Sequence, residues 1–257
     1  MKFKYIIFFA LVGGVIFGYV LFKNLYSKLD NTTFVVGTAA GYAPWVSVNA
    51  HGEYEGFDID IANALAQKMG KKLIIKDMGS MASLFIALDQ GTIDAIIWGL
   101  SITEDRLKKT AMVHYQGETT SSYPLLFWQK IPAGINSIND MTGMTVSVEQ
   151  TSAQDTVLSK YTFINKKYTE KVDDALLNIR YQKADAAFVE PAIAKKFKKK
   201  YPEIQILNVT LTPEYQAQGV GIAIKKNNAS LINQVQQAIN ALQCADIIKE
   251  YEEKWNI

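Results

Sequence analysis

Three groups of polar residues in this chain follow apolar runs, and their chemistry suits the charged ends of a free α-amino acid. Arg106 comes shortly after the run IDAIIWGL, and its planar guanidinium can bind a carboxylate through two hydrogen bonds. Ser152 and Gln154 follow the run MTVSV, where the free N–H groups of a helix start favour an anion. Glu190 ends the run ADAAFVE and can accept hydrogen bonds from an ammonium group. These residues predict a site for a zwitterion.

Aromatic and sulfur-containing side chains lie at neighbouring positions of the sequence pattern. Tyr42 and Trp45 lie in the segment GYAPW after the first predicted strand, Trp98 ends IDAIIW, and Met81 begins a predicted helix. Such a wall suits a long alkyl, aromatic or guanidinium side chain. Each residue taken alone is also explained by core packing or by surface exposure. Only their joint placement at the ends of strands favours the binding hypothesis.

The elements that must position these residues alternate between short strands and helices. Periodicity predicts a helix over GFDIDIANALAQKMGKK and another from Ser80 to the stop at Gly91, with Thr103 capping a short third helix. The segments LFIALDQGTIDAIIW and LLNIRYQKADAAFVE repeat the order helix, turn, Asp-Ala, strand. The chain is therefore predicted to be an α/β protein with two similar lobes, each a mostly parallel sheet flanked by helices.

The lobe boundaries follow from where the pattern restarts and returns. Residues 33–120 and 214–257 are predicted to form lobe one, and residues 121–213 lobe two, joined by a hinge of two strands. Ligands of such sheets bind at the carboxyl ends of the strands. The predicted polar groups would therefore face one cleft between the lobes.

Composition and charge exclude several classes of function. The formal net charge is +2, and residues 1–23 carry three lysines and no acid, so residues 24–257 carry −1. This balance gives no electrostatic footprint for nucleic acid. The single cysteine, Cys244, permits no internal disulfide and no cysteine metal cluster, and its helical context predicts a buried residue. No metal site and no cofactor are predicted. The basic run Lys195–Lys200 is interpreted as the solvated face of a helix.

The N-terminus predicts export. Lys2 and Lys4 precede an uncharged apolar run, Tyr5–Phe22, which Lys23 closes. A basic start followed by an apolar stretch is typical of a secretory signal, although a run of 18 residues can also span a bilayer. Residues 1–29 are therefore predicted to be a signal peptide or an uncleaved membrane anchor. The body would lie in the periplasm or at the outer face of the inner membrane.

Several motifs together resemble the periplasmic solute-binding proteins of polar amino-acid ABC importers, with arginine-binding members the most similar. The matching segments are YAPW, GFDIDIANALA, IDAIIWGLSITEDR, SVEQTSAQD, ADAAFVEP, GVGIAIKK and a C-terminal EKW. The resemblance covers roughly residues 33–257. It implies a type II periplasmic-binding-protein fold, no enzymatic activity, a monomer, and as partners an amino acid and the membrane subunits of an ABC importer.

The resemblance also implies roles for individual residues. Arg106 would bind the ligand carboxylate, with Gly99 and Ser101 helping to fix the backbone of the ligand. Ser152 and Ala153 lie where the family uses a pair of hydroxyl residues, and Ala153 keeps only its N–H group. Glu190 lies where the family usually has an aspartate that accepts the ammonium group.

The side-chain pocket departs from the family in two places that bear on specificity. Trp98 lies where a small residue is common, which predicts a smaller or flatter pocket that a neutral or aromatic amino acid would fit nearly as well as arginine. Ala39 lies where several members that bind basic ligands carry an aspartate for the distal charge. Tyr42 and Trp98 would stack on the ligand side chain, with Glu118 or Gln154 as its distal partner.

Two alternatives stay open at this stage. Relatives of the family include exported cyclohexadienyl dehydratases acting on prephenate or arogenate, in which a carboxylic acid donates a proton. Glu190 would take that role. A sensor input domain is the other, and it would need an output module on another chain.

Overall fold

The structure, a computed structural model, describes residues 32–257 as a mixed α/β chain. The strands are β1 (Thr33–Thr38), β2 (Ser47–Val48), β3 (Tyr54–Glu55), β4 (Lys72–Asp77), β5 (Ala95–Ile96), β6 (Thr110–Thr120), β7 (Ser122–Phe127), β8 (Thr145–Glu149), β9 (Asn165–Thr169), β10 (Ala186–Phe188), β11 (Gln205–Thr210) and β12 (Ala217–Lys225). The α-helices are α1 (Phe57–Lys68), α2 (Met81–Gln90), α3 (Glu104–Lys109), α4 (Ala153–Leu158), α5 (Val172–Arg180), α6 (Pro191–Lys200), α7 (Ala229–Cys244) and α8 (Ile247–Trp255).

Two five-stranded sheets carry the architecture, and they share one topology. The first has the order β4-β1-β5-β12-β6 and the second, read in the same sense, β9-β8-β10-β7-β11. In each sheet the first three strands are mutually parallel, and the fourth pairs antiparallel with both of its neighbours. Four of the five strands therefore run in one direction, which confirms the predicted mostly parallel sheets. We call the first sheet with its helices lobe one, and the second lobe two.

The reversed strands β7 and β12 are the ones that enter each sheet from the other lobe. β6 leads into β7 through Ser121, and residues 211–216 connect β11 to β12. An additional bridge between Ser101 and Val220 ties the loop after β5 to β12 near this crossing. The predicted two-strand connection between lobes is therefore present, with the carboxyl ends of β5, β8 and β10 directed at the space between the sheets.

Local signals fix the helices that border this space. The Ser80 hydroxyl accepts from the backbone N–H of Ser83 at the start of α2, and Gly91 ends that helix in the left-handed conformation. The Thr103 hydroxyl accepts from the backbone N–H of Arg106 at the start of α3. These three caps were predicted from the sequence, and they satisfy N–H and C=O groups that a helix leaves unpaired at its ends.

The hydrophobic core is continuous across the lobes. One cluster runs from Phe34 and Leu65 of lobe one to Val189 and Phe197 of lobe two, while a second cluster around Phe188 fills the other face of the second sheet. Hydrogen bonds from Tyr42 and Ser101 of lobe one to Glu190 of lobe two also cross the cleft, so the two lobes are closed on each other in this structure.

Some sequence predictions need correction. The apolar run IDAIIWGL forms only a two-residue strand, β5, because the chain turns at Gly99 with a positive φ. The eleven-residue strand β6 was not predicted. Cys244 is exposed rather than buried, since it ends α7 on the face away from Leu242. The predicted signal or anchor, residues 1–29, lies outside the described residues. Within residues 32–257 we find no helix with the length and apolar character needed to cross a membrane.

Candidate functional site

A small cavity lies between the lobes, where the predicted site residues converge. Seven of them line it: Tyr42, Met81, Trp98, Gly99, Arg106, Gln154 and Glu190. Leu100, Glu149, Val172, Phe188, Val189 and Ile193 complete the lining. Lobe one supplies the guanidinium and the aromatic rings, and lobe two supplies both carboxylates.

Arg106 is held rigidly although it has no acidic partner. Its side chain is 7% exposed, donates to the Ser101 carbonyl at 2.8 Å and to the Met81 sulfur at 3.1 Å, and lies 5.8 Å from the Phe85 ring centre. No carboxylate of residues 32–257 lies within ion-pair distance of it. Burial lowers the pKa of the guanidinium, and Glu190 opposes that shift. A buried cation without a counterion is unfavourable in free energy. We therefore expect an anion to bind beside Arg106.

Glu190 reaches across the cleft to lobe one. One carboxylate oxygen accepts from the Ser101 hydroxyl at 2.6 Å, and the other accepts from the Tyr42 hydroxyl at 2.9 Å. Burial raises the pKa of Tyr42 well above its usual value, and Glu190 adds to that shift. The phenol is therefore a neutral donor. Glu190 precedes Pro191 at the start of α6, so both the loop and the helix hold its backbone in place.

Glu149, at the end of β8, is an acid that sequence reasoning missed. Its side chain is 9% exposed and lines the cavity. Burial and, to a smaller extent, the charge of Glu190 raise its pKa to about 8, while Arg106 opposes this shift. Gln154, on the same side, is 3% exposed, and its side-chain nitrogen has no hydrogen-bond partner among the described residues. Lobe two therefore presents an unpartnered acid and an unpartnered amide.

The rings of Tyr42 and Trp98 form an aromatic wall of the cavity, and their positions depend on a glycine. The rings of Tyr42 and Trp98 have centres 5.1 Å apart, and the Trp98 indole donates to the Ala39 carbonyl at 2.8 Å. Gly99 has φ +52°, and a Cβ added there would lie 2.9 Å from the rings of both Tyr42 and Trp45. Only glycine fits this turn, because a side chain would displace the rings.

A buried acid beneath this wall positions Gly99. Asp58 accepts from the backbone N–H of Gly99 and, at 2.6 Å, from the Tyr115 hydroxyl. Burial raises the pKa of Asp58 to about 7 even though these two hydrogen bonds act to lower it. The sequence pattern places Asp58 only within the helix GFDIDIANALAQKMGKK and gives it no role. The structure assigns it to α1 as a positioning residue for the loop that lines the cavity.

Comparison with known proteins places the chain in a family. The family model for bacterial extracellular solute-binding proteins, family 3, matches residues 34–257. The chain belongs to this family. The family membership and the type II binding-protein fold predicted from the motifs are confirmed.

Individual proteins similar to this solute-binding protein are named as arginine-binding proteins. It is 29% identical over 230 residues to a probable ABC transporter arginine-binding protein, ArtJ, of Chlamydia trachomatis, covering 89% of this chain and 87% of that protein. It is 26% identical to the arginine-binding extracellular protein ArtP of Bacillus subtilis, covering 91% and 89%. A crystal structure of a mutant of ArgBP from T. maritima aligns with a TM-score of 0.77 at 28% identity, covering 88% of this chain and 96% of that one.

Four predicted ligand contacts of the solute-binding protein do not line its cavity. Ser101 lies beside it and donates to Glu190, and Trp45 lies beneath it with its ring edge against Phe57. The Ser152 hydroxyl is occupied by the N–H of Asp155, while Ala153 packs into the core of lobe two. Direct ligand contact by these residues stays a prediction.

Of the two residues predicted to contact the distal end of the ligand side chain, Glu118 and Gln154, only one lines the cavity. Glu118 lies exposed on β6 and does not line the cavity, so it does not face the ligand. Gln154 does line it.

Proposed function

We propose that this protein captures a polar amino acid, with arginine or another basic amino acid favoured, between its lobes and delivers it to the membrane subunits of an ABC importer. One observation carries the proposal. A buried guanidinium without a counterion, Arg106, shares a cavity with the carboxylate of Glu190. This pair offers a partner to each charged end of an α-amino acid. The names of the relatives agree with this ligand class.

The ligand would hold the closed form together. Lobe one offers Arg106 and the rings of Tyr42 and Trp98 to an incoming ligand, and closure adds Glu190 and Gln154. A ligand that contacts both lobes favours the closed form by its differential affinity for that form. In this structure Glu190 accepts from Tyr42 and Ser101 of lobe one, so an ammonium group would share or replace these donors.

The proposal also covers the lobe boundaries, the cellular location, the oligomeric state and the catalytic activity of the protein. We place lobe one at residues 33–120 and 214–257 and lobe two at residues 121–213, close to the division of the sheets. Since the family is extracellular, we propose that residues 1–29 export or anchor the body in the periplasm or at the outer face of the inner membrane. We propose a monomer with no catalytic activity.

A thermal-shift screen over the twenty amino acids plus ornithine and citrulline tests the ligand class. A ligand at 100 times its Kd stabilises the folded state by about 2.7 kcal/mol, and each kcal/mol raises the Tm of a chain this long by about 2–4 °C. We expect a rise of several degrees with at least one polar amino acid. No rise with any of them, together with formation of phenylpyruvate from prephenate, would instead support the dehydratase alternative.

A further inference from the structure

The cavity holds one more carboxyl group than the backbone of an amino acid can pair with. Its charged lining residues, among those the structure describes, are Arg106, Glu149 and Glu190. A ligand carboxylate pairs with the guanidinium, and a ligand ammonium pairs with one of the acids. The other acid then stays buried without a partner, which is costly unless it takes up a proton or faces a second cation.

Glu149 is the acid left over. Glu190 already has two donors from lobe one, whereas the Glu149 carboxylate accepts no hydrogen bond from any residue between 32 and 257. The backbone of Glu149 is fixed at the end of β8 by its register with Thr169 of β9. Its side chain is almost fully buried yet still faces the cavity. The carboxylate is therefore held in place and available to a ligand.

Within the part of the chain that the structure describes, no other acid lines the cavity to serve a cationic ligand side chain. The end of β1 offers Ala39 and a carbonyl that already accepts from Trp98, and Asp58 beneath the wall is occupied by Tyr115 and Gly99. The rings of Tyr42 and Trp98 can stack on a guanidinium or an alkyl chain. The same cavity thus offers an aromatic wall for the stem of a side chain and a carboxylate for its charge.

We infer that Glu149 accepts the distal cation of the ligand and that this protein selects amino acids with a positively charged side chain. This inference rests on the proposed function. It locates specificity in lobe two, on a residue that neither the motif roles nor the aromatic wall had indicated.

The test compares L-arginine with L-citrulline, which has nearly the same shape and an uncharged side chain. Calorimetric titration of both ligands would be made on the wild-type protein and on Glu149→Gln, with Glu118→Gln as the matched control on the surface. We expect the wild-type protein to bind arginine at least tenfold more tightly than citrulline. Loss of one partner of a buried charge pair typically weakens binding about 30-fold or more. Glu149→Gln should therefore lose at least that factor for arginine while citrulline binding is kept, and Glu118→Gln should match the wild type.

Retained citrulline binding also shows that Glu149→Gln is folded. If Glu149→Gln kept the preference of the wild type for arginine, the role of Glu149 would be wrong while the proposed function stood. The same conclusion would follow if the wild-type protein bound citrulline as tightly as arginine. A wild-type protein that bound neither these nor any other amino acid would contradict the proposed function and, with it, this inference. If Glu149→Gln bound neither ligand but melted like the wild type, Glu149 would be required for the whole ligand and its selective role would be wrong.

Discussion

The two lobes share a topology but differ in how the polar groups that line the cavity are satisfied. In lobe one, Arg106 is fixed by a carbonyl and a sulfur, and the Trp98 indole is fixed by a carbonyl. In lobe two, Glu149 and the amide of Gln154 have no hydrogen-bond partner among the described residues, and Glu190 finds its donors only on lobe one. Lobe one is thus a preorganised half-site, whereas lobe two needs a ligand or the opposite lobe to satisfy its groups.

This difference implies an order of events. A rigid guanidinium beside aromatic rings can bind the ligand before closure at little cost in side-chain entropy. The acids of lobe two then gain partners only when the cleft closes. The contrast predicts that substitutions in lobe one abolish binding, while substitutions in lobe two weaken it and change its selectivity.

The largest effect is expected from Arg106→Ala, which removes the carboxylate partner of lobe one. Truncating one member of a desolvated charge pair costs roughly 2–5 kcal/mol, or about 30-fold to several-thousand-fold in affinity. Titration calorimetry with the best ligand of the screen measures the loss, and the Tm without ligand shows whether the fold is intact. Unchanged affinity in a folded variant would remove Arg106 from the site.

A smaller loss is expected from Glu190→Gln in lobe two. The amide keeps the shape of the side chain, and its oxygen can still accept from one of the two hydroxyls of Tyr42 and Ser101, while its NH2 group faces the other. It lacks the charge that an ammonium group prefers. Hydrogen bonds to charged groups contribute roughly 1.5–3 kcal/mol, so a loss of about 10- to 150-fold is expected by the same titration. A loss as large as that of Arg106→Ala would show that the lobes do not differ as described.

The pH dependence of stability tests the burial of Glu149 in lobe two. The pKa of Glu149 is raised from 4.5 to about 8, mainly by burial and to a smaller extent by the charge of Glu190. Arg106 opposes this shift. The proton that the folded state retains stabilises it fully below about pH 4.5, and this contribution is lost as the pH rises through 8. Asp58, with its pKa raised by burial to about 7, acts in the same direction.

We therefore expect the Tm of the unliganded protein to fall between pH 5 and pH 8, and to fall less in Glu149→Gln. The groups that act on Glu149 or feel its charge are Glu190, Arg106 and Tyr42, so Glu118→Gln on the surface should leave the slope unchanged. Equal slopes in the wild type and Glu149→Gln would show that Glu149 ionises normally.

The smallest effect concerns backbone strain. After β1, lobe one makes a left-handed turn at Gly41, whereas the corresponding turn after β8 of lobe two places Thr151 at φ +64°. A β-branched residue is strained there by about 1–3 kcal/mol. We expect Thr151→Gly to raise the free energy of unfolding by about 1 kcal/mol, after the entropy cost of glycine, while Thr156→Gly in α4 lowers it. Chemical denaturation measures both, and destabilisation by Thr151→Gly would contradict the interpretation.

Much of this architecture could be predicted from the sequence because its signals are local. The caps Ser80, Gly91 and Thr103 mark helix ends directly, and the repeated order of strand and helix indicates two parallel sheets. Strand β6 was missed because its residues, from Thr110 to Thr120, neither form an apolar run nor alternate clearly. Its place is fixed by pairing with β12, which is distant in sequence.

The candidate site was predicted less completely. Arg106 and Glu190 were found because they follow buried strands, and the same rule applied to MTVSV would have found Glu149. Asp58 could not be recognised in this way, because its partners Gly99 and Tyr115 lie 41 and 57 positions away. The occupied hydroxyl of Ser152 likewise depends on helix geometry that residue type alone does not fix.

The most direct test of the central claim changes the ligand rather than the protein. Agmatine keeps the amine and guanidinium of arginine but lacks the carboxylate that Arg106 is proposed to bind. In calorimetric titration of the wild-type protein, the account predicts one-to-one binding of L-arginine and at least 30-fold weaker binding of agmatine. Agmatine binding as tight as that of arginine would contradict it.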